Sequence, residues 1–432
     1  MTITHLGRFG DGVVSEPDAP PLYVAGALPG ERARIGATVR DRRILRAPLR
    51  EVLVASPARR APTCDVVARC GGCPLAHLSR QAQLEAKRGW LVSELAAKGL
   101  DPQSITIELA LPEPGTAYRA RARLAWSPRG PSAGEGGGAV LGYRESERHD
   151  VVVPSRCVVL APALEAARVR LTSTLGPLLA GTGELRLALS RTFDGEHVVA
   201  ALDTQDPQPA ALYRALEALV SEGALGGARL RVGSAGAVLV GETIERSTDP
   251  EGRVLRSSIG GFRQAHVGAS SALGERVLAW GRPEGARVIE LHAGHGHFTL
   301  SLAARASHVV AVELEGEAAQ AMRENLAAHG LRAEALADDA ARALGAIAAD
   351  VARGKQPRPD LVVLDPPRTG ALDVMQPLGE LAPTRVVYVS CDVATFARDV
   401  AALRPRLGLE RLTLVDLFSD TLHVELVALL TR

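Results

Sequence analysis

The chain has 432 residues, which is too many for one ordinary domain, so about two to four domains are expected. Hydrophobic residues make up 46% and the formal net charge is +1, which allows real cores and excludes a uniformly basic nucleic-acid binder, although a local basic face remains possible. The opening MTITHLGRFGDG lacks the layout of a signal peptide, and no stretch approaches the ~20 apolar residues of a membrane span, so we expect a cytoplasmic protein without a membrane partner.

Short strands broken by glycine and proline, from Ile3 to about Val54, predict a small all-β barrel of the size of an OB fold. A run of arginines follows its second half: Arg32, Arg34, Arg40, Arg42, Arg43, Arg46, Arg50, Arg59 and Arg60. Such a run is either a solvated surface or a face that holds an RNA backbone, and its position on a small barrel favours RNA contact.

The five cysteines are distributed unevenly. Cys64, Cys70 and Cys73 are clustered, Cys157 follows at a distance, and Cys391 stands alone. An odd number in a chain without an export signal argues against a disulfide framework. The distribution suggests four ligands and one reactive thiol.

The clustered cysteines have five residues between Cys64 and Cys70 and two between Cys70 and Cys73. Structural zinc usually has two tight pairs, whereas three close cysteines plus a distant one beside proline are more typical of a [4Fe–4S] cluster. The spacing therefore favours iron–sulfur and leaves zinc as the alternative. His77, which is near in sequence, is interpreted as a local hydrogen-bonding residue.

The middle of the chain predicts only coarse elements. Residues 80–98 have the pattern of an amphipathic helix, and residues 118–126 alternate as a half-exposed strand does. Three arginines of that strand would share one face and meet either phosphate or solvent: Arg119, Arg121 and Arg123. Residues 127–138 predict a flexible hairpin loop.

From Ala286 onwards strand, glycine turn, helix and strand alternate, as in a doubly wound α/β sheet. The turn contains Gly294, and the next strand ends about 20 residues later in Glu313, where a carboxylate accepts hydrogen bonds from a ribose diol. NAD is disfavoured because the third glycine of its fingerprint is missing. The histidines of the turn resemble a metal cluster, but exposure on a glycine loop explains them without a metal: His292, His295 and His297.

Three later strands carry candidate catalytic groups. One ends in Asp365, which two prolines follow, and another ends just before Cys391, where a helical pattern begins. Cys391 is either a small buried hydrophobe or a nucleophile whose thiolate gains from a helix N-terminus. Glu425 lies in an otherwise apolar last strand, so it is either paired or kept for proton transfer.

With these residues in place, the chain resembles the iron–sulfur RNA 5-methyluridine methyltransferases over essentially its whole length. The segments that carry the resemblance are VAGALPGE at 24–31, the four cysteines before residue 158, GFRQ at 261–264, DPPR at 365–368, SCD at 390–392 and HVE at 423–425. The resemblance implies a TRAM-like OB barrel (1–58), a central α+β domain with a [4Fe–4S] cluster (59–265) and a Rossmann-like catalytic domain (266–432).

The resemblance also implies the roles of the site residues. Cys391 would be the nucleophile and Glu425 the general base. The contacts to S-adenosylmethionine would be Gln264, His292, Gly294, His297, Glu313, Asp339 (or its neighbour Asp338) and Asp365. The cluster ligands would be Cys64, Cys70, Cys73 and Cys157. The implied substrate is a uridine in a single-stranded RNA loop, in ribosomal RNA first, and the implied state is a monomer.

Some residues depart from the family pattern. The turn usually has an aromatic residue at the position of His292 and asparagine at that of His297, and Asn-Pro usually follows the nucleophile in place of Asp392-Val393. Asp392 would raise the pKa of the neighbouring thiol unless Arg368 or Arg398 compensates its charge.

Three alternative functions follow from these departures and from the motifs. They are methylation of a tRNA uridine, RNA binding by a relative that has lost turnover, and NAD-type oxidoreduction with an iron–sulfur relay. The incomplete glycine fingerprint disfavours the last of these.

Overall fold

The computed structural model describes residues 1–17, 19–41, 44–112, 115–128, 138–146, 150–192, 195–261, 263–404 and 406–432. Arg42, Arg43 and most of the loop predicted at 127–138 therefore lie outside the described residues. Among the helices of these ranges, none combines the length and the apolar character that crossing a bilayer would require.

Two small sheets form the N-terminal region. Their strands are β1 (His5–Leu6), β2 (Gly12–Val14), β3 (Leu22–Val24), β4 (Arg32–Ile35), β5 (Val39–Asp41), β6 (Ile44–Arg46) and β7 (Leu49–Val54). One sheet has the order β1-β2-β3-β6-β5, and β4 pairs with β7 in the other. A small buried core that includes Ile3, Val14 and Val24 lies inside them. A side chain at Gly12 would come within 2.7 Å of the Ala27 carbonyl oxygen, so the two segments approach closely only because glycine is there.

Helix α1 (Arg80–Ala97) confirms the amphipathic helix predicted over 80–98, and the Ser79 side chain accepts a hydrogen bond from the Ala82 N–H at its start. Its buried face is not wholly apolar. Lys87 is fully buried, and its ammonium group donates to Asp416 Oδ1 at 2.6 Å. This buried ion pair joins α1 to the C-terminal region of the chain.

The central region contains a mixed sheet with two helices. Its elements are β9 (Arg121–Pro128), β10 (Ala139–Arg144), β11 (Val151–Val152), α2 (Pro162–Leu175), β12 (Gly183–Thr192), β13 (Gly195–Thr204), α3 (Ala210–Ser221), β14 (Gly227–Val232) and β15 (Val238–Gly241). In the described ranges the strand order is β11-β10-β9-β12-β13-β14-β15. The helices bury leucines such as Leu171 and Leu216 against leucines of the strands such as Leu185. A separate hairpin follows, made of β16 (Ile244–Thr248) and β17 (Val254–Ser258).

The C-terminal region confirms the α/β architecture predicted from residue 286 onwards. Its elements are α4 (Ala269–Gly281), β18 (Arg287–Leu291), α5 (Thr299–Ala303), β19 (His308–Glu313), α6 (Gly316–Ala328), β20 (Glu334–Ala337), α7 (Ala340–Ala352), β21 (Leu361–Leu364), α8 (Leu372–Leu381), β22 (Arg385–Ser390), α9 (Val393–Leu403), β23 (Gly408–Val415) and β24 (Glu425–Thr431). Strands β18 to β22 run parallel to one another, whereas β24 is antiparallel to both β22 and β23. Every residue of β21 is buried, as expected for a parallel strand covered on both faces.

One further strand of this sheet comes from far earlier in the chain. Strand β8 (Thr106–Ala110) pairs in parallel with β23, so the order is β20-β19-β18-β21-β22-β24-β23-β8. The sequence pattern did not predict this pairing. Successive strands are added on one side of β18 up to β20 and on its other side from β21 onwards, so the order of strands in the sheet switches between β18 and β21. Ligands of open α/β sheets bind beyond the carboxyl ends of the strands at such a switch point.

Candidate active site

A cavity of about 1130 Å³ opens at the carboxyl ends of the C-terminal strands. Eight residues predicted from the sequence line it: Gln264, His292, Gly294, His297, Glu313, Asp365, Cys391 and Glu425. They come from the carboxyl ends of four parallel strands, from the start of β24 and from the segment before α4, so only the folded sheet brings them together. The cavity is large enough for a nucleoside-sized ligand and a second planar group.

The glycine turn after β18 has an unusual backbone. His292 has φ 60°, and Gly294 and Gly296 have φ 57° and 98°. Left-handed φ values suit glycine and are tolerated by only a few other residue types, histidine among them. The Glu313 carboxylate fixes this turn, since it accepts hydrogen bonds from the Gly294 N–H and the Glu315 N–H, both at 2.8 Å.

The histidines of the turn are less exposed than the sequence interpretation held, because His295 is buried and His292 and His297 are half-buried. His295 is 8% exposed, and burial lowers the pKa of His292, of His295 and of His297, the last to about 4. The Nε2 atom of each is buried and has no protein partner. Neutral imidazoles that keep a free nitrogen can hydrogen-bond a ligand. Within the described residues no group of three or more His, Cys, Asp or Glu side chains is placed to hold a metal ion.

Two carboxyls lie next to the turn, the half-buried Asp365 and the buried Glu290. Burial raises the pKa of Asp365 to about 7. Burial also raises the pKa of Glu290, inside β18, to about 8, and the charges of Asp365 and Glu313 add to that effect. Glu290 was missed at the sequence level. The signal was available, because an acid within the apolar run Val-Ile-Glu-Leu is as unusual as Glu425 in its strand.

Cys391 directly follows β22 and is free and half-buried. Burial raises the pKa of its thiol to about 12, and the charges of Glu425 and Asp365 raise it further, whereas Arg368 lowers it. The Glu425 carboxyl is buried as well, and burial together with Asp365 raises its pKa to about 8. The thiol and the carboxyl thus lie within electrostatic reach of each other, and their raised pKa values favour the protonated form of both near neutral pH.

The cation that pairs with the Asp392 carboxylate is not one of the two that the sequence predicted. Its Oδ2 atom accepts a hydrogen bond from Arg8 Nη2 at 2.9 Å. Arg398 instead pairs with Asp399, with Nε at 2.8 Å from Oδ1, and Arg368 donates to His423 at 2.9 Å. The cation at Asp392 therefore comes from the N-terminal region, where no sequence pattern pointed to it.

One wall of the cavity is rich in arginine: Arg119, Arg186, Arg191, Arg229, Arg231 and Arg263. Of the three arginines predicted to share a face, only Arg119 lines the cavity. Arg121 donates to the Gly261 carbonyl oxygen at 2.7 Å and to the buried Glu245 at 3.0 Å, and Arg123 pairs with Glu184. The sequence analysis missed four of these arginines, because their strands showed no motif: Arg186, Arg191, Arg229 and Arg231.

Asp339 does not line the cavity. It caps α7, where its carboxylate accepts the Arg342 N–H at 2.9 Å, and Asp338 accepts a bond from Arg342 Nε at 2.6 Å. The charge of Asp339 nevertheless acts on His292. The structure therefore leaves this acid at the margin of the predicted cofactor pocket.

The other four cysteines gather in a second place. Asp65 accepts a hydrogen bond from the Ser155 N–H at 3.1 Å, which ties the loop of Cys157 to that of Cys64. Burial raises the pKa of Cys64, of Cys70 and of Cys73, the last to about 12, and the charge of Cys157 raises all three further. The thiols are thus within electrostatic reach of one another, although they do not surround the position of a single metal ion.

Comparisons with known proteins agree with this geometry. A family model described as tRNA (Uracil-5-)-methyltransferase matches residues 262–432. The 23S rRNA (uracil(1939)-C(5))-methyltransferase RlmD of Alkalilimnicola ehrlichii is 34% identical over 455 residues, which cover 100% of this chain and 96% of the relative. The protein of the same name from Chromohalobacter salexigens is 32% identical over 450 residues, or 100% and 89% of the two chains.

A solved structure has the same overall fold. It is the Pyrococcus abyssi tRNA (uracil-54, C5)-methyltransferase in complex with S-adenosyl-L-homocysteine, and it matches with a TM-score of 0.74 at 21% identity, covering 100% of both chains. At this identity the likeness concerns the fold alone. It extends over all three regions described above.

Proposed function

The chain belongs to the RNA uracil-C5 methyltransferase family, and from that premise we propose that it transfers a methyl group from S-adenosylmethionine to carbon 5 of a uridine in RNA. The observation that carries the proposal is the single cavity that the Cys391 thiol, the Glu425 carboxyl and the glycine turn share. A nucleophile, a base and a nucleoside-binding turn are the parts that this reaction needs.

The reaction needs a nucleophile because carbon 5 of uracil is itself a poor one. The Cys391 thiolate adds to carbon 6, which breaks the C5–C6 double bond and leaves an enolate. Carbon 5 then takes the methyl group, the Glu425 carboxylate removes the proton from carbon 5, and the thiolate leaves as the double bond re-forms. A carboxyl whose pKa is about 8 is well matched to accepting and releasing a proton near neutral pH.

The pocket residues fit S-adenosylmethionine, which would supply an electrophilic methyl group on a sulfonium ion. We propose Gln264, His292, Gly294, His297, Glu313 and Asp365 as its contacts, with Asp339 at the margin. Their buried, unpartnered imidazole nitrogens offer hydrogen bonds to a polar ligand. Burial raises the pKa of the Asp365 carboxyl to about 7, and a bound cation would favour its charged form.

We propose that the RNA lies along the arginine-rich wall of the cavity and along the N-terminal sheets, which would form a TRAM-like barrel over residues 1–58. The target uridine must leave its stack to reach Cys391, which favours a single-stranded loop. The names of the full-length relatives favour ribosomal RNA, and a tRNA uridine remains the second candidate because of the fold neighbour's substrate. The corresponding proposal for its state is a cytoplasmic monomer with no membrane partner.

We further propose that Cys64, Cys70, Cys73 and Cys157 bind a [4Fe–4S] cluster in a central domain over residues 59–265. Zinc holds each sulfur at about 2.3 Å, so four thiolates around one ion crowd together. What supports the cluster is the spacing of three close cysteines plus a distant one, together with the charge of Cys157, which raises the pKa of each of the other three thiols and so places the four within electrostatic reach of one another. No redox step in the reaction requires the cluster, so its proposed task is structural.

The iron proposal has a direct test. Protein purified without oxygen should be brown, with about four irons per chain and broad absorbance near 400 nm. Replacing Cys157 with serine should remove the iron. A colourless preparation with one zinc per chain would contradict the cluster.

The methylation proposal is tested by transfer of tritium from methyl-labelled S-adenosylmethionine into RNA. Total RNA from a strain that lacks the gene should accept label, and digestion should place all of it in 5-methyluridine. Label in ribosomal RNA and none in tRNA would favour the first candidate substrate. Tight RNA binding without transfer would instead indicate a relative that has lost turnover.

A further inference from the structure

The tip of the first hairpin in the chain touches the loop that carries the nucleophile. Arg8 lies between β1 and β2, and its guanidinium donates to Asp392 Oδ2 at 2.9 Å and to Glu94 of α1 at 3.3 Å. Trp90, also of α1, donates from Nε1 to the Leu6 carbonyl oxygen at 3.3 Å. The hairpin is therefore bound to α1 and to the active-site loop at the same time.

The packing of the hairpin tip is close. Gly10 has φ 83°, and a side chain there would come within 3.1 Å of Leu422 and 3.2 Å of Leu75. Leu422 lies three residues before Glu425, in the segment that leads into β24. The N-terminal region thus contacts the chain segments on either side of the active site.

Asp392 occupies a sensitive position because it directly follows Cys391. Its Oδ1 atom accepts the N–H groups of Ala394 and Thr395, both at 2.9 Å, and so caps α9. Its Oδ2 atom is left to Arg8. The capping carboxylate is thus held at both oxygens, one by the helix and one by a cation that the N-terminal region supplies.

We propose, on the premise of the function above, that Arg8 is a positioning residue for Cys391: it neutralises and holds Asp392, so that the reactivity of the thiol depends on docking of the N-terminal hairpin. An exposed ion pair stabilises a fold little by itself. The Arg8–Asp392 pair is important because it lies next to Cys391. The N-terminal sheets then contribute to catalysis as well as to RNA contact.

The charges that face the Cys391 thiol explain why the Arg8–Asp392 pair affects its ionisation. Glu425 from β24, Asp365 beyond β21 and the adjacent Asp392 all oppose its ionisation, and Arg368 favours it. Because the thiol is largely protonated near neutral pH, the fraction present as thiolate changes in direct proportion to the acid dissociation constant of the thiol. Loss of a unit charge beside Asp392 should lower that amount about fivefold.

The test measures the rate at which iodoacetamide modifies Cys391 in the full-length protein between pH 7 and 9, followed by mass spectrometry of the peptide that contains it. Arg8→Ala should slow modification about fivefold, and Arg8→Lys should restore most of the rate. In the Asp392→Asn background, where asparagine still caps the helix, Arg8→Ala should have no effect. Arg170→Ala is the matched control, because it removes an exposed ion pair of the same 2.9 Å length, to Glu222, in the central region.

Two results would overturn the proposal: an equal effect of Arg8→Ala with and without Asp392, or an equal loss in Arg170→Ala. Thermal unfolding of each variant separates a local effect from misfolding, and single-turnover methylation should follow the order of the modification rates. If the wild-type protein methylates no RNA, the proposed function fails, while the modification rates still decide the role of Arg8.

Discussion

The two groups of cysteines in this chain experience similar burial and differ in what surrounds them. Cys73 and Cys391 both have a pKa of about 12, chiefly because of burial. Around Cys391 the other charged groups are carboxyls and one arginine, held at strand ends. Around Cys73 they include three more thiols, held on loops. A raised pKa by itself therefore does not distinguish a nucleophilic thiol from a metal-binding thiol. The groups that surround each thiol provide the distinction.

The neighbours also indicate how each thiol can lose its proton. Beside Cys391, carboxyls that titrate near neutral pH can take up protons during a reaction. The gathered thiols would need the positive charge of bound metal to become thiolates together. On this comparison we propose that the region of Cys391 performs chemistry and that the region of the other four cysteines binds a resident group.

The largest effect should come from Cys391→Ala. Methyl transfer should fall by at least about 10³-fold, because carbon 5 is never activated, while binding of RNA and of S-adenosylmethionine persists. Tritium transfer and a native gel shift measure the two properties. Methylation by Cys391→Ala would break the comparison, since both groups of cysteines would then be structural.

Glu425→Gln should have the next largest effect, about 10²–10⁴-fold on turnover, with a different signature. Addition and methyl transfer can proceed, but the proton on carbon 5 cannot leave, so the enzyme remains joined to the RNA. A denaturing gel with methyl donor should show a slow, protease-sensitive band. Its absence, or its presence in Cys391→Ala, would contradict the assigned roles.

Glu313→Gln should weaken binding of S-adenosylmethionine about 10–100-fold, because it removes a charge that is hydrogen-bonded to the glycine turn. Asp339→Asn is the matched change at the margin of the pocket, and it should cost less affinity. Calorimetry without RNA measures both. Equal losses would place Asp339 inside the pocket after all and sharpen its boundary.

The smallest predicted effect is the pH dependence of stability that arises from the buried Glu290 and Glu425. The pKa of Glu290 and that of Glu425 are raised in the folded chain from 4.5 to about 8, so the stability linked to their protonated forms is complete below about pH 4.5 and is lost as pH rises through 8. The melting temperature of the protein without cofactor should fall over this range. Glu290→Gln should reduce the fall by roughly 2–4 °C, and an unchanged pH profile would show that Glu290 does not titrate there.

Local sequence patterns were sufficient for much of the catalytic region. The apolar runs before Asp365 and Cys391 predicted the buried strands β21 and β22, and the acid after the glycine turn marked the end of β19. The family predicted from these motifs is confirmed by full-length relatives. These features have short-range signatures, because a strand and the turn that ends it are neighbours in sequence.

Features that depend on distant pairing had no such signature. The contact of Arg8 with Asp392 joins opposite ends of the chain, and nothing around Arg8 distinguishes it from other surface arginines. The predicted exposure of the turn histidines was also wrong for His295, which is buried, because the sequence of a turn does not reveal which distant segment covers it. Burial is a property of the tertiary fold and not of the turn.

The pairing of β8 with β23 has a consequence for how the protein is made. Strand β8 leaves the ribosome roughly 300 residues before its partner does, so the edge of the catalytic sheet cannot be completed until nearly the whole chain has been synthesised. Until then Thr106–Ala110 is an unpaired strand, open to association with other nascent chains. Slow translation or a truncated message should therefore produce aggregation rather than a partly active enzyme.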